Sequence, residues 1–319
     1  MNSRSLVTGG AGFIGSHLCE AIRKRGEHVS VLDNLSSGNI DNLRSAVRGK
    51  PSIKLITGDC KNPANVRKAI AGADIIYHFA AVPEVRLALV NARTCFRENA
   101  YATQVLLEAM KRSDVSMVVF ASTSAVYGDA KTIPTPENCS PLEPISIYGA
   151  SEVASEALIA SYCHTYKKKA VILRLANVVG PRSRHGVLND FTKRLRKNPK
   201  QLEILGDGDQ AKSFLHIHDC VSAILKACEV TEQRIEVFNV GSADQLKVTE
   251  ISEIVAQEMG LEDVKFNFTG RVDGGRGWVG DVKNMLLDIG KLTARGWQVK
   301  YDSEQAVRPA VKDMISEKR

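Results

Sequence analysis

The 319-residue chain reads as an α/β protein, a doubly wound parallel sheet followed by a smaller α/β unit at the carboxyl end. Three observations lead there. Short β-branched runs alternate with longer amphipathic stretches through the first half, the runs are apolar almost throughout, and a glycine-rich turn follows the first of them. Such alternation builds strand–helix–strand units, and strands apolar on both faces belong to a parallel sheet covered by helices on either side.

Strands are expected at residues 5–8, 28–33, 53–57, 75–78, 117–121 and 170–175, with amphipathic helices near 15–25, 63–71, 92–112 and 149–167. The pattern loosens after Asn177. Residues 180–212 are basic and loop-rich, and 214–225 and 236–240 look like returns to the main sheet. The first unit is therefore expected over 1–178 with returns near 213–242, and the second over 179–212 and 243–319.

A chain of this length forms one large domain or two that share a core. Its 44% apolar and 25% charged residues are those of an ordinary soluble protein. No apolar run approaches the length that crosses a bilayer, and no signal-peptide core precedes the first strand, so no membrane association is expected. Seven cysteines stand singly without a Cys-x-x-Cys pair. That argues against a metal site or a disulfide framework and for a reducing, cytoplasmic setting. The net charge of +7 lies mostly on helix faces interleaved with Glu, and aromatics are only 6%, so no nucleic-acid surface is expected.

The first strand runs into Gly9-Gly10-Ala11-Gly12-Phe13-Ile14-Gly15 and then a helix. Glycines permit positive φ and let backbone N–H groups approach a pyrophosphate at the positive end of that helix. Gly15 allows the helix to pack closely on the strand. The second strand ends at Asp33, about 20 residues on, where a carboxylate accepts hydrogen bonds from the adenosine ribose and repels a 2′-phosphate. This is a Rossmann-type dinucleotide pattern, with NAD preferred over NADP. Asp59 closes the third strand, where it either meets the adenine edge or belongs to a surface turn.

Further motifs follow: His78-Phe79-Ala80-Ala81, Asn99-Ala100-Tyr101-Ala102-Thr103, Ser122-Thr123-Ser124 after the strand at 117–121, Tyr148-Gly149-Ala150-Ser151-Glu152, and Asn177-Val178-Val179-Gly180-Pro181. With the glycine turn and residues 274–281, they resemble the extended short-chain dehydrogenase/reductase family over nearly the whole chain, in particular its UDP-glucose 4-epimerase group. The resemblance implies NAD as cofactor and places Thr123 and Tyr148 at the sugar 4-oxygen. It adds Gly12, Phe13, Ile14, Asn34, Ser37 and Gly38 to the cofactor contacts near the first two strands. Farther along it adds Cys60, Phe79, Ala80, Ala81, Asn99 and Ser122.

Taking hydride from a secondary alcohol requires a base for the hydroxyl proton. A Tyr phenolate serves if its pKa, ordinarily about 10, is brought toward neutrality. One position departs from the family: Glu152 stands where relatives carry Lys, four residues after the Tyr. Residues i and i+4 share a helix face, so Glu152 is expected beside Tyr148 and the nicotinamide ribose. A carboxylate there disfavours the phenolate but still accepts hydrogen bonds from ribose hydroxyls. Cofactor binding is thus expected to survive a change that impairs catalysis.

By the same resemblance Asn177, Val187, Lys212 and Arg276 meet the substrate, with the two cations converging on its diphosphate. Asp281 lies near the nucleoside ribose. Met285 borders the sugar's 2-substituent, where a flexible side chain leaves room for an N-acetyl group. Arg182, Arg184 and His185 form a basic loop that either helps to hold the substrate or is solvated, and His216 and His218 are expected to be structural.

Dehydratases of the family carry an Asp-Glu pair after the active-site Thr. Ser124-Ala125 stand there in this chain, so elimination lacks its acid and base. The expected activity is NAD-dependent UDP-hexose 4-epimerisation, by hydride removal, rotation of the 4-keto sugar and hydride return to the other face. Two other readings stay open: an NAD- and nucleotide-sugar-binding protein with little turnover, and another nucleotide-sugar oxidoreductase. Relatives pair the helices equivalent to 92–112 and 149–167 across a dimer, so a homodimer is expected.

Overall fold

Seven parallel strands make the main sheet of the computed structural model, which describes residues 3–44, 52–270 and 272–316. The first six are β1 (Arg4–Thr8), β2 (His28–Asp33), β3 (Lys54–Thr57), β4 (Ile75–His78), β5 (Met117–Thr123) and β6 (Lys169–Leu175). Four short strands follow outside that sheet: β7 (Asn177–Val179), β8 (Gln201–Ile204), β9 (Ala211–Lys212) and β10 (Phe214–His216). The seventh strand of the sheet is β11 (Ile235–Val240). Its order is β3-β2-β1-β4-β5-β6-β11. The order turns back between β1 and β4, and that switch leaves a crevice at the carboxyl ends of the strands, where open α/β sheets bind ligands.

The helices in chain order are α1 (Phe13–Lys24), α2 (Pro63–Ile70), α3 (Val85–Val90), α4 (Ala92–Phe96), α5 (Ala102–Met110) and α6 (Ile147–Tyr166). Then come α7 (Val187–Lys197), α8 (Ile217–Val230), α9 (Val248–Glu258), α10 (Gly290–Thr293) and α11 (Ser303–Ser316). Side chains of a strand alternate between faces, and here both faces are covered. On one, Val7, Val119 and Leu173 pack with Leu18 and Ile22 of α1 and Ile224 of α8. On the other, Leu6, Val118 and Ile172 meet Leu106 of α5 and Ile159 of α6. Burying each such side chain contributes about 1.5–3 kcal/mol, which is why the strands read as largely apolar runs. The smaller carboxyl-terminal core gathers Phe191 and Leu195 of α7, Ile251 and Val255 of α9, and Val307 and Val311 of α11.

Three departures from the expected elements bear on the site. Strand β5 runs two residues longer than its apolar pattern, which carries Ser122 and Thr123 out to the crevice. The helix expected over 92–112 runs on from α4 into α5 but widens to a π-type turn at Arg97–Tyr101, and that turn holds the Asn99 side chain inward. The third departure is a correction. Residues 214–216 do not return to the main sheet, because β11 already occupies the edge of β6 along six residue pairs. Strand β10 pairs instead with β7 in a separate two-stranded sheet, and α8 packs against α1.

Candidate active site

The carboxyl ends of β1, β2, β4 and β5 and the β6–β7 junction open on a single cleft of about 560 Å³. Its first wall is the glycine turn. Gly9 sits at φ +68°, and a Cβ there would lie 2.7 Å from the backbone of Phe79 and Ala80. At Gly15 a Cβ would lie 2.3 Å from the Gly9 carbonyl oxygen. Both positions admit only glycine, so the turn meets the cleft as bare backbone. Helix α1 begins there without a side-chain cap, which leaves its first N–H groups for an anion. Gly12, Phe13 and Ile14 line the same wall.

Asp33 closes β2. Its two carboxylate oxygens accept from the Ala11 N–H at 2.9 Å and the Leu35 N–H at 2.8 Å, which fixes the carboxylate with lone pairs to spare. Asn34 and Ser37 line the cleft beside it, while Gly38 lies behind, where a Cβ would stand 3.0 Å from the Asp33 carboxylate. Asp59 and Cys60 complete this end. Burial opposes ionisation of Asp59, but the Lys61 N–H, the Lys61 ammonium and the Asn34 amide outweigh it and hold the carboxyl below its ordinary pKa. Ala81 and the Phe79–Ala80 turn line the opposite wall. His78 sets that turn: its ring nitrogens bond the Thr8 and Thr103 hydroxyls, and burial drives its pKa down to about 4, so it stays neutral. Asn99 does not stand in the cleft wall. Its amide is committed to Val82 and the Ser151 hydroxyl, and it braces the wall from behind.

At the other end Thr123 and Tyr148 both line the cleft, with the Thr123 hydroxyl close enough to favour the Tyr148 phenolate. Ser146 caps α6 by accepting from the Gly149 N–H at 3.0 Å, and so fixes where Tyr148 enters the cleft. Burial first, then Glu152, push the Tyr148 phenol well above its ordinary pKa, against the opposing bond to Thr123. In the resting site Tyr148 is therefore a neutral phenol. Ser122 lines the cleft and donates to Glu156, whose carboxylate is held bidentately by Arg174 at 3.0 and 2.7 Å. Glu152, one turn along α6 from Tyr148, is 1% exposed, and neither carboxyl oxygen has a hydrogen-bond partner among the described residues.

Asn177, Val187, Lys212, Asp281 and Met285 line the remaining part of the cleft. Lys212 pairs with the buried Asp281 carboxylate. Arg276 is not in the cleft wall: its terminal nitrogens engage Asp129, at 3.1 and 2.7 Å, and one of them also donates to the backbone carbonyl of Asp281, the residue whose carboxylate Lys212 holds. Arg182 reaches back to Ser16 at 3.0 Å and to Glu20, tying its loop to α1. The His216 ring lies between those of His218, edge-on at 4.8 Å between centres, and Tyr301, tilted at 4.7 Å. No cluster of His, Cys, Asp and Glu suited to a metal occurs among the described residues.

Residues 5–241 match the NAD dependent epimerase/dehydratase family. The chain belongs to that family. A putative UDP-glucose 4-epimerase from Methanocaldococcus jannaschii is 31% identical to it, over 98% of this chain and 99% of its own. Among solved structures a UDP-galactose 4-epimerase superposes with a TM-score of 0.86 at 41% identity, over 99% of this chain and 100% of the other. A Bacillus cereus UDP-glucuronic acid 4-epimerase, solved with UDP-glucuronic acid and NAD, superposes with a TM-score of 0.88 at 29% identity, over 98% and 99%.

As an epimerase/dehydratase family member the chain uses NAD, and its own residues fit that cofactor. The glycine cradle and the uncapped α1 terminus suit a pyrophosphate, and Asp33 suits an unphosphorylated ribose. Sequence reasoning missed Arg86 and Trp278. Arg86 lies 5.6 Å from the Trp278 ring centre and Lys212 lies 5.5 Å from it, and all three line the cleft. Arg86 also bonds Asp190 of α7 at 2.9 Å. The one sequence signal was Trp278 itself, a large aromatic in a glycine-rich stretch. Its neighbours come from segments far apart in the chain.

Proposed function

We propose that the protein is a UDP-hexose 4-epimerase that uses NAD as a retained cofactor. The observation that carries the reading is the Thr123–Tyr148 hydroxyl pair at one end of a dinucleotide cleft, followed by Ser124-Ala125 rather than by carboxylates. Both hydroxyls are placed to hold one sugar oxygen, Tyr148 exchanging its proton and Thr123 aligning it. NAD supplies the hydride acceptor and donor. With no acid or base beside Thr123 to drive elimination, the keto sugar has only hydride return open to it. The relatives named above support a UDP-linked hexose. Met285, unbranched and set in a strand bordering the cleft, favours acceptance of an N-acetyl group as well.

Glu152 supports a second reading, in which both ligands bind and turnover is slight. One assay separates the two. Cofactor-loaded protein and its Glu152→Lys variant are given UDP-glucose, and UDP-galactose is measured. Conversion by both, faster in the variant, is expected. Conversion by the variant alone establishes the second reading, and conversion by neither overturns the epimerase proposal.

We also propose a homodimer. Val90 and Phe96 are exposed at 83% and 56%, with Leu89, Tyr101, Ile147 and Tyr166 also exposed on the adjoining α3–α6 segments. Apolar surface of that kind marks a contact face. Light scattering at micromolar concentration is expected to give twice the chain mass, and a value for one chain refutes the dimer.

A further inference from the structure

Glu152 is a buried carboxyl with no hydrogen-bond or ion partner among the described residues. Its helix neighbours are Tyr148 on one side and Glu156 on the other, and from α4 it faces the Cys95 thiol. Arg174 of β6 is the nearby cation, but both oxygens of Glu156 already hold it. Other charges on the packed elements are spent elsewhere: Arg86 on Asp190, Glu98 on Lys61, Lys111 on Glu108. Arg93 and Arg97 are exposed. The neutral donors are committed as well, Ser151 to the Tyr148 carbonyl and Asn99 to Val82 and Ser151.

A carboxylate buried without counter-charge or donor takes up a proton instead. Burial, then the charge on Glu156, push the Glu152 pKa up to about 8, so at neutral pH it is mostly a neutral acid. Glu152 does not itself line the cleft but stands one turn behind Tyr148, which does, and the proposed reaction fixes what lies near Tyr148. Tyr148 exchanges a proton with the sugar oxygen, and hydride leaves the carbon bearing that oxygen, so the nicotinamide ring must lie within reach of Tyr148. That ring is cationic when oxidised and neutral when reduced.

We propose that Glu152 is a positioning residue whose proton tracks the charge of the cofactor: it ionises when oxidised NAD fills the cleft and is a neutral acid when the cofactor is reduced. One proton leaves to solvent as one positive charge enters, and the buried site keeps a constant charge. The inference rests on the use of NAD and on the proton-exchanging role proposed for Tyr148, not on which sugar is turned over.

The test is infrared difference spectroscopy of the cofactor-loaded protein at neutral pH, reduced minus oxidised. A carboxylic-acid C=O band is expected to appear on reduction and to be missing in Glu152→Gln. A band that ignores the oxidation state, or one that persists in Glu152→Gln, overturns the proposal. As a second measure, stripped protein is titrated with NAD and with NADH between about pH 6 and 8. Proton release makes NAD bind more tightly as pH rises, by at most about tenfold per unit, while NADH affinity stays level. Equal pH dependence for the two cofactors also overturns it. Neither measurement needs a sugar substrate, so failure of the epimerase reading leaves both legible.

Discussion

Tyr148→Phe is expected to lower turnover by about 100- to 10,000-fold while NAD content is unchanged. The substitution keeps the ring at the start of α6 and deletes only the hydroxyl, which shares the cleft wall with Thr123. The residues proposed to hold the adenosine end, Gly9, Gly15 and Asp33, are untouched. Rapid assay of UDP-sugar interconversion, with cofactor measured by absorbance after denaturation, checks both halves. Undiminished turnover assigns the proton to another group and overturns the role given to Tyr148. Parallel loss of bound NAD makes Tyr148 a packing residue of the cofactor site instead.

Arg174→Met is expected to destabilise the fold by about 3–5 kcal/mol, a large part of the stability of a typical domain. Arg174 and Glu156 are 5% and 6% exposed, and the guanidinium also donates to the Tyr127 hydroxyl at 2.9 Å and the Glu137 carbonyl at 3.1 Å. Tyr127 passes the chain on to Asn239 at 2.7 Å. Removing the cation strands the Glu156 carboxylate beside Glu152, which is itself without a counter-ion. Urea unfolding at neutral pH reads the loss. Adding Glu156→Gln to Arg174→Met is expected to restore most of the stability, because it removes the stranded charge. If the double variant is no more stable than the single one, the ion pair matters for its shape and not for its charge.

Much of the first half was legible because local patterns there report directly on burial. Strands β2 and β4 have the limits their apolar runs predict, and the glycine turn with Asp33 announces the dinucleotide end. The substrate end was harder, for a physical reason. A lone Arg or Lys carries no local signature of what it faces, and its partner is set by topology. Arg86 finds Asp190 across 104 residues, and Arg276 finds Asp129 across 147. Asn99 was expected to meet the cofactor, yet its amide is committed to Val82 and Ser151 behind the wall, from a π-type turn that periodicity cannot announce. For Glu152 the spacing predicted a charge acting on Tyr148. The structure ranks burial as the larger cause of the raised phenol pKa, with Glu152 second.

Helix α6 carries two buried acids on successive turns that differ in one respect, since Glu156 has a counter-ion and Glu152 has none. In the genetic code, every Glu codon becomes a Lys codon by one base change. At position 156 that step would set two cations against each other at Arg174. At position 152 no hydrogen-bonded partner is left behind. A single base change at position 152 therefore breaks no pairing among the described residues, while the same change at position 156 breaks the ion pair with Arg174.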